Sequence, residues 1–296
     1  HKSTGQNVAI KVVEKVALKK QPGLMHAVWT EKTLLSQWDS EHVIPLYAAF
    51  HDEECVYLVM ACSNGGDLSH AIQCGRQYKN IARWVSSIPH YGIQVISALE
   101  FIHSKKVLHA DLKPDNILIN ESGRLQLADF GSAIALHDPK HREVWGTVDY
   151  SSPEVLKNST NLTVGVDLWS LGCIIYAMFE GKSPFHSDSD ALAIEKIMKF
   201  ETLKLPISST AKAKEGWNSL ISGLMRPDPA LRLGVSNYKD EGTVVYQLIR
   251  SSSVWDGTDM NSSSDAPFLA PKPVWWTESQ KSTMKDGKVG WTAFLL

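Results

Sequence analysis

Hydrophobic and polar positions fall in short alternating runs near the start of the chain and in longer, helix-spaced runs after it. Val8-Ala9-Ile10-Lys11-Val12-Val13 is rich in β-branched residues and follows a glycine turn, which predicts a strand. Residues 16–38 are helix-like, and Pro22-Gly23 divides them into a short helix and a longer one. Two further strand-like runs, Ile44 to Phe50 and Val56 to Met60, flank the polar turn His51-Asp52-Glu53-Glu54. The break Ser63-Asn64-Gly65-Gly66-Asp67 separates this β-rich stretch from a mainly helical one. There Ile93, Ile96, Leu99 and Ile102 share one helix face. Ile117-Leu118-Ile119 and Leu125-Gln126-Leu127 read as short strands about a Glu121-Ser122-Gly123 turn. Residues 166–179 are apolar nearly all round, as in a helix buried on every side. Past residue 250 the composition shifts to Ser, Asp, Pro and Trp, and no internal repeat or heptad is present. The pattern predicts an α+β chain of two lobes: a small β-rich lobe over 1–62, a large helical lobe over 63–250 and a tail over 251–296.

Composition narrows the function classes. The 296 residues are 43% hydrophobic, enough to bury a sizeable core, which argues against general disorder. Thirty basic residues against 32 acidic leave a net charge of −2, so no bulk electrostatic pull toward nucleic acid or anionic membrane is expected. Cys55, Cys62, Cys74 and Cys173 are scattered without a CxxC pair. That spacing predicts neither a disulfide framework nor a structural zinc site, and fits a reducing, cytoplasmic setting. No apolar run approaches the roughly 20 residues a membrane span needs, and no signal peptide is visible.

The chemistry concentrates in His109-Ala110-Asp111-Leu112-Lys113-Pro114-Asp115-Asn116. On a proline-stiffened loop between apolar segments, the Asp can accept a hydroxyl proton, the Lys can neutralise a phosphoryl oxygen and the Asn amide oxygen can ligate a hard cation. Eighteen residues beyond Asp111, directly after a predicted strand, comes Asp129-Phe130-Gly131. A carboxylate at a strand end before a flexible glycine suits Mg²⁺ on a polyphosphate. Each group alone is an ordinary polar loop residue; in this order and on these elements they are not a chance set.

These motifs resemble the HRDLKxxN and DFG motifs of the eukaryotic protein kinases. The resemblance implies a bilobal fold, ATP and Mg²⁺ as cofactors, and transfer of the ATP γ-phosphoryl group to protein Ser or Thr. It implies Asp111 as catalytic base, Lys113 at the transferred phosphate, and Asn116 and Asp129 as metal ligands. It further implies Lys11 as the nucleotide-gripping lysine and Glu31, on the predicted long helix, as its ion partner. Met60 would be the gatekeeper, with Ala61 to Ser63 as hinge, Asp67 at the ribose and Leu118 in the nucleotide site. Thr147 would bond Asp111 and Lys113, Glu154 and Arg232 would form a buried ion pair, and Asp167 would hold the catalytic-loop backbone. Leu35, Leu46, His109 and Phe130 would stack as one column. Ser97 to His103, Asp167 to Tyr176, Arg232-Leu233-Gly234 and Ser152-Pro153-Glu154 are similar to the AGC group, in particular its 3-phosphoinositide-dependent kinases.

The chain also departs from that pattern. The Gly-rich phosphate loop and its two strands lie roughly 15 to 25 residues before the lysine in the family, whereas ten residues precede Lys11. The expectation is a fragment with a truncated small lobe, whose sheet edges lose partners. Ala110 stands in place of the HRD arginine, and Glu143 falls where the group carries its activating serine. It either substitutes for that phosphate or is a solvated loop charge. Leu18, Met25 and Val28 are placed to line a docking groove for protein substrates, themselves activation loops of other AGC kinases. Membrane recruitment would need a domain absent from this chain. The alternative function is a non-catalytic kinase-like scaffold that binds protein.

Overall fold

The computed structural model describes residues 7–77, 81–136, 147–159, 161–201, 211–235, 246–256 and 290–294. Strand β1 (Val8–Glu14) pairs antiparallel with β3 (Cys55–Ala61), placing Lys11 opposite Leu58, and β2 (Leu46–His51) pairs with the far side of β3. Between β1 and β2 run α1 (Lys15–Lys20) and α2 (Pro22–Gln37). Pro22 opens α2, where its missing N–H breaks no helical bond and its fixed φ suits the first turn. Helix α2 buries Val28, Glu31 and Leu35, so an acid lies on its inner face.

The sheet has a fourth strand. β8 (Gly290–Phe294) runs antiparallel along the other side of β1, Val8 opposite Phe294 and Lys11 opposite Trp291, giving the order β2-β3-β1-β8. This corrects the expectation that both sheet edges lose partners: the edge of β1 is closed by residues from the stretch that reads as tail. Among the described residues the sheet ends at β2 on one side, exposed from Tyr47 to His51, and at β8 on the other.

The link to the large lobe is close backbone packing. Gly65 N–H donates to the Ile119 carbonyl and Ile119 N–H to the Gly66 carbonyl, both at 2.8 Å. A Cβ on Gly65 would lie 2.6 Å from the Ile119 oxygen, so glycine is required there. Beyond it come α3 (Leu68–Gln77), α4 (Ile81–Ser104), β4 (Val107–Leu108), β5 (Ile117–Ile119), β6 (Leu125–Leu127) and β7 (Ile134–Ala135). β5 and β6 form one two-stranded ribbon, and β4 and β7 another. Then follow α5 (Pro153–Leu156), α6 (Gly165–Glu180), α7 (Asp190–Met198), α8 (Ala211–Leu224) and α9 (Tyr246–Arg250).

Helix α6 is buried along nearly its whole length and is capped by Gly181 in the left-handed region at φ 84°, whose N–H returns to the Ala177 carbonyl. The core does not stop at residue 250. Trp255 is buried against Gly92 of α4, and its ring meets Trp217 edge-on at 5.2 Å. Burying such a ring is worth about 2–3 kcal/mol, enough to hold this segment to the lobe whatever its polar surroundings. Among the described residues no helix is long and apolar enough to cross a membrane.

Candidate active site

The strand β1 and the helix α2 bring one lysine to two acids. Lys11 Nζ lies 2.6 Å from Glu31 Oε2 and 3.0 Å from Asp129 Oδ1, the latter 118 residues away in the chain. Burial disfavours the Lys11 ammonium, but the two carboxylates outweigh it and raise its pKa. Burial pushes the Glu31 carboxyl up, and the Lys11 charge opposes this only in part. Burial would likewise raise Asp129, yet Lys11, His109 and Lys113 hold it below the ordinary carboxylate value.

A second cluster gathers on the loop after β4. Asp111 Oδ2 accepts from Lys113 Nζ at 3.0 Å and Asn116 Nδ2 at 3.2 Å, and Oδ1 accepts the Thr147 N–H at 2.9 Å. Lys113 Nζ also donates to the Thr147 hydroxyl at 2.6 Å, so the segment carrying Thr147 is pinned to the loop. The two clusters adjoin: the Ala128 N–H, beside Asp129, donates to the Asn116 carbonyl at 2.9 Å. Two residues at these clusters are held in the left-handed region, Ala110 at φ 62° and Asp129 at φ 59°. The Cβ strains both, but Asp tolerates that conformation better because its short polar side chain can hydrogen-bond locally, which Ala cannot do.

Contacts from the large lobe hold this backbone. Asp167, fully buried at the start of α6, accepts the N–H of His109 at 2.8 Å and of Ala110 at 3.0 Å. His109 Nε2 lies 3.0 Å from the Ala128 carbonyl, and its ring packs at 4.9 Å on Phe130, itself fully buried. Leu35 shares the core with Phe130, and Leu46 packs against it. Arg232 meets Glu154 with two parallel bonds at 2.5 and 2.8 Å, tying α5 to the end of the large lobe.

The residues read as hinge and nucleotide contacts divide. Met60 is fully buried, Ala61 donates its N–H to the Pro45 carbonyl, and Ser63 is buried. Asp67 Oδ1 accepts the His70 N–H at 2.7 Å, capping α3, so one of its oxygens is already used. Leu118 sits across a β-bridge from Asp67. Of the residues read as groove lining, Leu18 and Val28 are buried with Val13 in a small core where α1 and α2 fold down onto the sheet, and Met25 is exposed. Glu143 lies outside the described residues.

Sequence reasoning missed three contributors. Trp38 meets Phe130 edge-on at 5.2 Å, and His103 and Tyr246 stand behind Asp167. His103 sits in a stretch similar to the AGC group, but nothing local marks Trp38 or Tyr246.

The donor set suits a hard cation. Among the described residues no three His, Cys, Asp or Glu side chains cluster to enclose a metal alone. Mg²⁺ does not need such a cage, since it keeps waters and takes substrate phosphates beside one or two protein oxygens. Asp129 keeps 33% of its side chain exposed while one oxygen holds Lys11. Three carboxylates, Asp111, Asp129 and Glu31, face two ammonium groups, Lys11 and Lys113. A polyphosphate entering this excess of negative charge needs accompanying cations, so the residues fit the group.

Comparison with known proteins agrees with this geometry. The family model described as protein kinase domain matches residues 1–242. The chain is 32% identical over 293 residues to 3-phosphoinositide-dependent protein kinase 1 of Arabidopsis thaliana, covering 94% of this chain and 56% of that protein. It is 32% identical over 260 residues to the Homo sapiens protein of that name, covering 86% and 44% respectively. It is also 33% identical over 240 residues to an Aurora kinase of Candida glabrata, covering 81% and 64%. The chain spans about half the length of the 3-phosphoinositide-dependent kinases from these two organisms. With the family model matching most of the sequence, and with such relatives, the chain belongs to the protein kinase family and is similar to the 3-phosphoinositide-dependent kinases of its AGC group.

Proposed function

We propose that this protein transfers the γ-phosphoryl group of ATP to Ser or Thr hydroxyls of proteins. One observation carries the reading: Lys11 and Asp129 are in contact while Asp129 adjoins the loop that presents Asp111, Lys113 and Asn116. Asp111, its oxygens fixed by Lys113, Asn116 and Thr147, orients a substrate hydroxyl and takes its proton, a role worth roughly 10²–10⁴-fold in rate. Lys113 neutralises charge on the transferring group, and Lys11, steadied by Glu31, holds the nucleotide phosphates. Asn116 and Asp129 would hold Mg²⁺, which supplies further neutralisation of phosphate charge. Met60, Ala61, Ser63, Asp67 and Leu118 border the proposed base and ribose positions.

The likeness to AGC kinases supports activation loops of related kinases as substrates, docking on the small lobe near the exposed Met25 and Trp29. The cysteines Cys55, Cys62, Cys74 and Cys173, none in a disulfide, suit a cytoplasmic setting. The test is radiolabel transfer from Mg-ATP to a Ser/Thr peptide. Wild type should exceed Asp111→Asn by at least about 100-fold. Equal rates, with no shift in melting temperature on adding Mg-ATP, would replace this reading with the non-catalytic scaffold.

A further inference from the structure

Helix α9 is clamped to α4 by Arg250, whose guanidinium reaches Glu100 at 2.7 Å and the Ser97 hydroxyl at 2.9 Å. The clamp sets the Tyr246 hydroxyl 2.6 Å from His103 Nδ1, with both side chains buried. On the other side of the imidazole, Nε2 lies 2.8 Å from Asp167 Oδ2. Asp167 in turn accepts the His109 and Ala110 N–H groups, directly before Asp111. Five residues, three from separate helices and two from one loop, thus form a single hydrogen-bonded network ending at the residue before the proposed catalytic base.

The proton positions along that line follow from donor and acceptor chemistry. A carboxylate only accepts, so Nε2 carries a proton. Among the described residues the Tyr246 hydroxyl meets no acceptor except Nδ1. A ring protonated on both nitrogens would leave the phenolic O–H buried without an acceptor, a costly arrangement. The neutral ring with its proton on Nε2 satisfies every group. Ala110 makes the line matter, because its left-handed backbone at φ 62° is strained and persists only where outside contacts over-determine it.

We propose that Tyr246 is a positioning residue: its hydroxyl holds His103 as the Nε2–H tautomer, and through Asp167 this fixes the backbone of His109 and Ala110 so that Asp111 is presented correctly. The effect on catalysis rests on the phosphotransfer reading; the effect on the loop does not. The experiment is nitrogen NMR of the histidine rings, amide exchange and steady-state kinetics on the full chain and its Tyr246→Phe variant. In wild type, His103 should show a protonated Nε2 and an unprotonated Nδ1. In Tyr246→Phe, exchange at His109 and Ala110 should quicken about tenfold with β1 and β3 unchanged, and kcat should fall about tenfold at constant KM for ATP. A wild-type ring protonated on both nitrogens overturns the proposal, as does unchanged exchange at His109 and Ala110. If Tyr246→Phe fails to fold, the wild-type ring still decides. If wild type transfers no phosphate, the phosphotransfer reading falls while the ring and amide measurements still judge Tyr246.

Discussion

Arg232 and Lys11 are both buried cations held by carboxylates, one in each lobe, and they are built to opposite rules. Arg232 is closed on all sides: two bonds to Glu154, one to the Gly165 carbonyl at 2.6 Å, one to the Arg226 carbonyl at 2.8 Å, and the Trp169 ring 5.1 Å from its guanidinium carbon. Lys11 is shared between two acids, one of which, Asp129, remains a third exposed. The closed pair fastens the fold, whereas the shared one can exchange a protein carboxylate for a ligand anion. The difference teaches that burial of a charge does not by itself mark a functional site; a partner acid left partly open to solvent does.

Breaking the closed pair should give the largest effect. Arg232→Ala strands the Glu154 carboxylate in the core and should cost about 3–5 kcal/mol in urea unfolding. A loss under about 1 kcal/mol would remove the distinction between the two sites. Lys11→Met should do the reverse. Burial already pushes the Glu31 carboxyl up, so it can take a proton when its partner goes, limiting the stability loss to about 1–2 kcal/mol. Phosphotransfer should meanwhile fall at least about 100-fold, equivalent to ~2.7 kcal/mol in the barrier.

The third test uses pH. Burial alone would raise the Asp167 carboxyl, but the hydrogen bond from His103, with the N–H of His109, holds it below the ordinary value. A carboxyl depressed on folding contributes stability above its unfolded pKa, about 3.9, and loses it as pH falls through the folded value. Asp167→Asn should therefore be less stable than wild type at pH 7 by about 2 kcal/mol. The gap should narrow below roughly pH 3.9, read as converging thermal midpoints. The smallest effect is expected from deleting residues 290–296, which reopens the β1 edge: about 1 kcal/mol, a shift of roughly 2 °C, with greater self-association in light scattering.

Much of the fold was legible because its signals are local. The β-branched run at Val8 to Val13, the division at Pro22 and the break at Gly65 each act through their own backbone. The motif residues Lys11, Glu31, Asp111, Asn116 and Asp129 were singled out by order and spacing, and they lie together, although the roles proposed for them await the experiments above. Pairings across the chain were not legible. Nothing near Trp255 signals that Gly92 leaves room for its ring, and a single tyrosine at 246 carries no pattern pointing to His103. Spacing alone does not separate a groove from a core, because apolar residues at helix spacing serve either; Leu18 and Val28 are buried with Val13, and Met25 is exposed.

The pairing of β8 with β1 also bears on how the molecule is made. Gly290 to Phe294 are translated ~280 residues after the strand they flank, so during synthesis the lysine strand waits with one side uncovered while the whole large lobe emerges. Closing so long a loop is entropically slow, and the small lobe should gain its full protection from exchange only after residues 290–294 have left the ribosome. A stalled or prematurely terminated chain would expose that edge to neighbouring nascent chains, making this the step at which a chaperone has most to shield.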